Sequence, residues 1–136
     1  GVKTELEGLE TDYFAFADLD SVFDFYTPVI IANNTFLAEE PETARAFLDA
    51  VSRGYEFAIE HPQEAGEILC KAAPELDPDL VKASQEYLAD KYQADAPQWG
   101  YIDQERWDAY YAWLNEKGLT ETPIEAGTGC SNEYLP

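Results

Sequence analysis

Asp18, Asp20 and Asp24 stand close together in alternating or near-alternating positions, a spacing at which carboxylates can ring a calcium ion. A helix–loop–helix calcium site also needs a glycine at its sixth position for the sharp turn and a glutamate at its twelfth. Val22 and Phe23 fall where a ligand and that glycine belong, so this stretch reads as a solvated acidic loop. His61 is the only histidine, and Cys70 and Cys130 are the only cysteines. Zinc wants a second nitrogen or a thiolate cluster at short spacing, which none of the three offers. Placed just before Pro62, His61 reads as a helix-entry residue. The two cysteines permit a single disulfide without requiring one. Ser52 and Ser84 lie in helical stretches without the glycines of a nucleophile elbow, and no glycine-rich phosphate loop occurs. Acidic pairs such as Glu39-Glu40 are too common here to mark a general acid and base; near a helix start they simply suit the positive end of its dipole.

Aromatic residues are the more informative set, with 3 Trp, 9 Tyr and 7 Phe. Trp107, Tyr110 and Tyr111 share the spacing of one buried helical face. Trp99-Gly100-Tyr101 falls between helices, where an aromatic ring either plugs a core or faces a flat ligand.

Net charge narrows the partners. Eight basic side chains against 28 acidic ones leave −20, a surface that repels nucleic-acid phosphates and anionic lipid headgroups alike. No apolar run approaches the length of a membrane span; the longest, Val29-Ile30-Ile31-Ala32, has the length of a buried strand. No signal peptide is visible. Methionine is absent even at the first position, so the expectation is a processed or excised piece of a longer product. The 136 residues suit one ordinary domain, and 46% hydrophobic content excludes a wholly disordered chain.

The elements that must position these residues are punctuated clearly after residue 40. Pro41 and Glu42 open a helix whose apolar stripe (Ala44, Phe47, Leu48, Val51, Tyr55, Ala58 and Ile59) runs to about His61. Gly54 inside it implies a packing neighbour that needs room. Pro62 opens a second helix, with Ala65, Ile68, Leu69 and Ala72 on one face, which ends at Pro74. Asp77-Pro78 starts a third, striped by Leu80, Val81, Ser84, Tyr87 and Leu88. Asp103 caps a fourth, with Trp107, Tyr110, Tyr111 and Leu114 as its buried face and Gly118 as its left-handed terminator. A short helix is expected between Val2 and Leu9. Alternation predicts a strand over Tyr13 to Leu19, and the β-branched run predicts a second over Tyr26 to Asn33. The segment from Thr120 reads as an irregular arm. Two strands make a poor sheet alone, so something further is expected to complete it.

Several segments together resemble one family. They are Phe25-Tyr26-Thr27-Pro28-Val29-Ile30-Ile31-Ala32-Asn33 with Phe36, Pro41 and Ala46-Phe47-Leu48-Asp49-Ala50; Gly54-Tyr55-Glu56-Phe57-Ala58-Ile59 with Pro62-Gln63-Glu64-Ala65; and Trp99-Gly100, Arg106-Trp107, Trp113-Leu114, Gly118-Leu119 and the closing Ser131-Asn132-Glu133-Tyr134-Leu135-Pro136. The pattern resembles the substrate-binding proteins of ABC importers, in the thiamine pyrimidine-precursor branch of the group that also serves sulfonates, taurine and nitrate. The Trp-Gly segment and the ending carry the branch; the other segments fit the whole group.

The resemblance implies an α/β architecture: the C-terminal portion of a two-lobed type II periplasmic-binding-protein fold, helix-rich in this stretch. Residues 1–22 would end the second lobe, 23–32 would form the crossing strand and hinge, 33–119 would complete the first lobe, and 120–136 would be an arm. It further implies a non-enzymatic, extracytoplasmic solute-binding component, periplasmic or lipid-anchored through a missing N-terminal part. No cofactor or metal is implied. The implied partners are an aminopyrimidine, the importer's permease and that N-terminal part. Tyr26 and Thr27 at the crossing, and Trp99, are the expected ligand contacts. A sulfonate or taurine is the alternative solute, though the acidic balance steers anions away. A pyrimidine-synthesising enzyme of similar fold needs an active-site histidine and a cysteine-rich segment; His61 sits at a helix junction and Cys70 and Cys130 are isolated, so in that alternative those features would lie upstream. A self-contained acidic helical interaction domain would leave the two expected strands without a purpose.

Overall fold

The computed structural model describes every residue, Gly1–Pro136. Seven α-helices and one 3₁₀ turn follow in order: α1 (Val2–Leu6), α2 (Phe16–Leu19), the 3₁₀ turn (Ser21–Phe23), α3 (Asn34–Glu39), α4 (Pro41–Glu60), α5 (Pro62–Ala72), α6 (Pro78–Ala89) and α7 (Gln104–Glu116). The long helices begin where local chemistry starts them. Pro41, Pro62 and Pro78 occupy first positions, where a missing N–H costs nothing. The Asp77 carboxylate accepts from the N–H groups of Asp79 and Leu80 at 3.0 and 3.3 Å. The Asp103 carboxylate accepts from the Arg106 N–H at 2.9 Å. Gly118, at φ 64°, ends α7 in the left-handed region that a side chain rarely adopts.

Neither expected strand forms. Phe16–Leu19 is a turn of helix, and Tyr26 to Asn33 runs without a ladder. The physical reason is partnership: a strand is a pairing, and no segment of this chain offers its backbone to that run. Its side chains are left outside, with Val29 44%, Ile30 53% and Ile31 87% exposed. The unforeseen α3 begins at the same place, because the Asn33 side chain turns inward to accept from the Thr35 N–H at 2.7 Å and so acts as an N-cap.

Two compact units make up the chain. The first comprises Gly1–Tyr13, Arg45–Gly100 and Pro136. Its centre is the α5–α6 pair, against which α1 also packs. Gly66 makes that pairing close: a Cβ there would sit 3.6 Å from both the Lys82 Cα and the Val81 side chain. The face α5 buries is therefore Ala65, Gly66 and Cys70, while Ile68 and Leu69 of the expected stripe are exposed. Gln63 donates to Glu86 at 2.9 Å across the same pair. The second unit comprises Phe14–Ala44 and Tyr101–Leu135 and packs α7 on the 3₁₀ turn. Its interior is aromatic. Phe23 meets Trp113 edge-on at 5.3 Å, and Phe25 stacks on Tyr110 at 4.1 Å.

Both interiors are thin. Ala44, Val81 and Ala89 are the only buried apolar residues, and no large side chain is fully enclosed. The surface is correspondingly large, 10060 Å² for 15.3 kDa. A compact body of this mass exposes about 7,100 Å², and even two bodies of half the mass expose only about 8,600 Å².

Gly54 is not explained by crowding, because nothing lies within 4 Å of the position its Cβ would take. The expected packing neighbour is absent, so the glycine only loosens α4. Gly54→Ala should stabilise the helix by about 0.5 to 1 kcal/mol. A rise of roughly 2 to 5 °C in the thermal midpoint, followed by far-UV circular dichroism, checks this.

Candidate functional site

The sequence-derived site residues fall into both units. Tyr26 and Thr27 belong to the second, Trp99 to the first. Tyr26 is half-buried and Thr27 exposed. Tyr26 is held from the start of α7. Its phenol oxygen accepts the backbone N–H of Asp103 at 2.9 Å, and the Arg106 guanidinium lies over its ring, 4.6 Å from the centroid. Arg106 is itself fixed. Its Nε donates to the Asp24 carbonyl at 2.6 Å, and a terminal nitrogen pairs with the Asp24 carboxylate. The helix cap, the arginine and the aspartate thus form one node that sets the direction in which the chain enters Thr27. The Thr27–Pro28 peptide that follows is cis.

This node was not visible in the sequence. Asp103 was legible as a cap and Arg106 as part of a helix, but their partners lie about eighty residues away. The one local sign was the Asp24-Phe25-Tyr26 run itself, an acid and two rings directly before the β-branched segment.

Trp99 stacks on Tyr55 of α4 at 4.3 Å with an interplanar angle of 18°. Tyr55 in turn meets Tyr92 edge-on at 5.1 Å, and the Tyr92 hydroxyl donates to Gln85 of α6 at 3.0 Å. Trp99 therefore spends one face on the interior of its unit and is half-buried.

The remaining chemically able residues are engaged locally. The Asp18 carboxylate accepts from the Ala15 N–H at 3.3 Å at the start of α2, and Asp20 from the Val22 N–H at 3.1 Å at the head of the 3₁₀ turn, so both cap short helical turns where an acidic loop was expected. His61 precedes α5, with its ring 5.1 Å from that of Phe57 and its Nε2 3.9 Å from Glu60. An open surface depression surrounds it, lined by Glu60, Gln63, Glu64, Glu67, Ile68 and Lys71. No group of three or more His, Cys, Asp or Glu side chains is arranged to hold a metal ion. Both cysteines are free thiols. Burial pushes the Cys130 thiol up and the nearby Asp108 carboxylate adds to this, while the hydrogen bond to Gln104 pulls the other way.

The arm after Gly118 is irregular, as its composition implied, but it is firmly tied to its own unit. Asn115 of α7 clasps Ile124: its amide donates to the carbonyl at 2.7 Å and its oxygen accepts the N–H at 3.0 Å. The same oxygen accepts the Thr120 hydroxyl at 2.9 Å. Asn132 clasps Ile102 in the same way, at 2.8 and 2.9 Å. Between these, the Gly127 N–H meets the Asp108 carboxylate, and Trp107 donates to the Thr128 carbonyl at 3.0 Å.

Comparison with known proteins adds what the geometry leaves open. Residues 1–65 match the family described as NMT1/THI5 like. The formylaminopyrimidine-binding protein of Halalkalibacterium halodurans is 29% identical over 124 residues, covering 88% of this chain and 37% of that protein. The riboflavin-binding protein RibY of Chloroflexus aurantiacus is 24% identical, covering 99% of this chain and 39% of that protein. The 4-amino-5-hydroxymethyl-2-methylpyrimidine phosphate synthase of Candida albicans is 36% identical over 116 residues, covering 82% of this chain and 31% of that protein. The chain thus spans between 31% and 39% of the length of these relatives. Its resemblance to binding proteins of the thiamine pyrimidine-precursor type, legible in the sequence, holds in these comparisons.

Proposed function

We propose, from that resemblance, that this chain serves in the extracytoplasmic solute-binding component of an ABC importer, and that the solute is a thiamine pyrimidine precursor carrying an amino or formylamino group. The observation that carries the reading is the similarity of 88% of the chain to a formylaminopyrimidine-binding protein. RibY's name points to a flat heterocycle as well, and flat heterocycles are captured by aromatic faces with a few placed polar groups. In this reading residues 23–32 act as the hinge between two lobes. Tyr26 and Thr27 meet the solute as the lobes close, and Trp99 offers the face that Tyr55 leaves open. The large surface and thin interiors fit a chain that works against further protein, the rest of its binding protein and the importer's permease. Periplasmic or lipid-anchored placement belongs to the same proposal.

The synthase relative favours a second reading, a pyrimidine-forming enzyme. Binding and synthesis are separated by one experiment on the full-length gene product. Calorimetric titration with formylaminopyrimidine, riboflavin and taurine is expected to give saturable heat with the pyrimidine and none with taurine. Tyr26→Ala should weaken that binding at least about tenfold, the effect of some 1.4 kcal/mol. Heat with taurine alone would move the solute to the sulfonate class. No heat with any probe, together with pyrimidine formation in a mass-spectrometric assay, would sink the binding reading in favour of the enzyme.

A further inference from the structure

A phenol hydroxyl has one proton to give and lone pairs to receive with. At Tyr26 the receiving side is taken by the Asp103 N–H at 2.9 Å, while the O–H proton has no partner within the chain. One ring face is covered by the Arg106 guanidinium, 4.6 Å from the centroid, and no other aromatic ring stacks on Tyr26. Nε and one terminal nitrogen of Arg106 are committed to Asp24. The guanidinium and the received hydrogen bond both draw electron density from the phenol oxygen, which strengthens its O–H as a donor.

From this arrangement we infer that Arg106 is a positioning residue for Tyr26. It holds Tyr26 so that the site selects a solute with a hydrogen-bond acceptor on or beside a flat uncharged ring, rather than an anion or a group that only donates. The inference rests on the proposed function, and it adds which side of the solute's chemistry Tyr26 reads. A carbonyl such as a formyl group meets the requirement. A sulfonate would look to a free guanidinium, and this one is spent on Asp24. Arg106 touches no solute in this account; it acts by fixing Asp24 and one face of Tyr26.

A double-mutant cycle on the full-length gene product tests it, with formylaminopyrimidine and the aminopyrimidine that lacks the formyl group as probes. Tyr26→Phe is expected to weaken binding of the formyl compound about five- to tenfold, as the loss of a neutral hydrogen bond does, and to change binding of the deformylated one little. Arg106→Gln is expected to cause a similar loss, and the double variant to lose no more than Tyr26→Phe alone, because both changes remove one positioned donor. Arg106→Lys keeps a cation beside Asp24 without the planar fork and is expected to lose about threefold; it also serves as the test should Arg106→Gln fail to fold. Losses that multiply in the double variant, or an Arg106→Lys protein that binds like the wild type, would overturn the positioning role while leaving the proposed function in place. Tyr26→Ala binding as tightly as the wild type would overturn Tyr26 as a solute contact, whereas no saturable binding by the wild type would overturn the proposed function itself.

Discussion

Trp99→Ala is expected to cost about 2 to 4 kcal/mol of stability, the range for removing a large aromatic side chain from a packed site, set towards its lower end because Trp99 is half-buried. Area alone does not account for the cost. Trp99 closes a relay from the interhelical segment through Tyr55 of α4 and Tyr92 to Gln85 of α6, and a stacked pair adds about 0.5 to 1.5 kcal/mol beyond its buried surface. In a unit whose buried apolar residues include little more than Val81 and Ala89, one indole is a large share of the interior. Urea unfolding followed by far-UV circular dichroism reads the loss directly. Trp99→Phe should retain most of the stability, since the smaller ring can still lie on Tyr55. If Trp99→Ala unfolds at the wild-type midpoint, the stack carries no structural weight.

The second large effect belongs to the C-terminal arm. Asn115→Ala removes three hydrogen bonds at once, two to Ile124 and one to Thr120. At about 1 kcal/mol each, docking of this stretch should weaken by about 2 to 3 kcal/mol. The Ile124 amide should then exchange with solvent roughly 30- to 150-fold faster. Hydrogen exchange read by mass spectrometry localises this change. The Gly127 amide, tied separately to Asp108, should change far less. Asn115→Asp discriminates further, because it keeps both accepting contacts but replaces the donation to the Ile124 carbonyl by a carboxylate oxygen that repels it. No acceleration in either variant would mean that the arm is held by its other anchors.

These two sites show what a sequence discloses and what it conceals. Pro41, Pro62, Pro78 and Asp103 start their helices through chemistry confined to a single turn, so each start was legible. The β-branched run before Asn33 was equally legible as a strand and formed none, because a strand's stability resides in a partner that the run cannot specify. Asn33 was read as the end of that strand, although its side chain serves as a cap for α3. On α5 the periodicity favoured Ile68 and Leu69, yet the buried face is set by Gly66, where α6 approaches closely. In the candidate site, Tyr26 was nominated through a family pattern and Trp99 through its place between helices. Arg106 and Asp24 were missed as a pair because an ion pair spanning eighty-two positions leaves no local trace.

The run that pairs with nothing has a further consequence, a colloidal one. From Phe25 to Ala38 there is not one charged side chain, in a molecule that carries −20 overall. Native proteins ordinarily guard such an edge with lysines or other charges; here Pro28 is the only interruption within the β-branched run. Copies are kept apart instead by their total charge acting at a distance. That protection has a range of about 10 Å at 0.1 M salt and about 3 Å at 1 M, and it vanishes as pH falls towards 4.1, where the net charge is lost. Dilute buffer near neutrality therefore keeps the chain dispersed, whereas concentrated salt or acid removes the barrier and leaves Val29, Ile30 and Ile31 as the place where association begins.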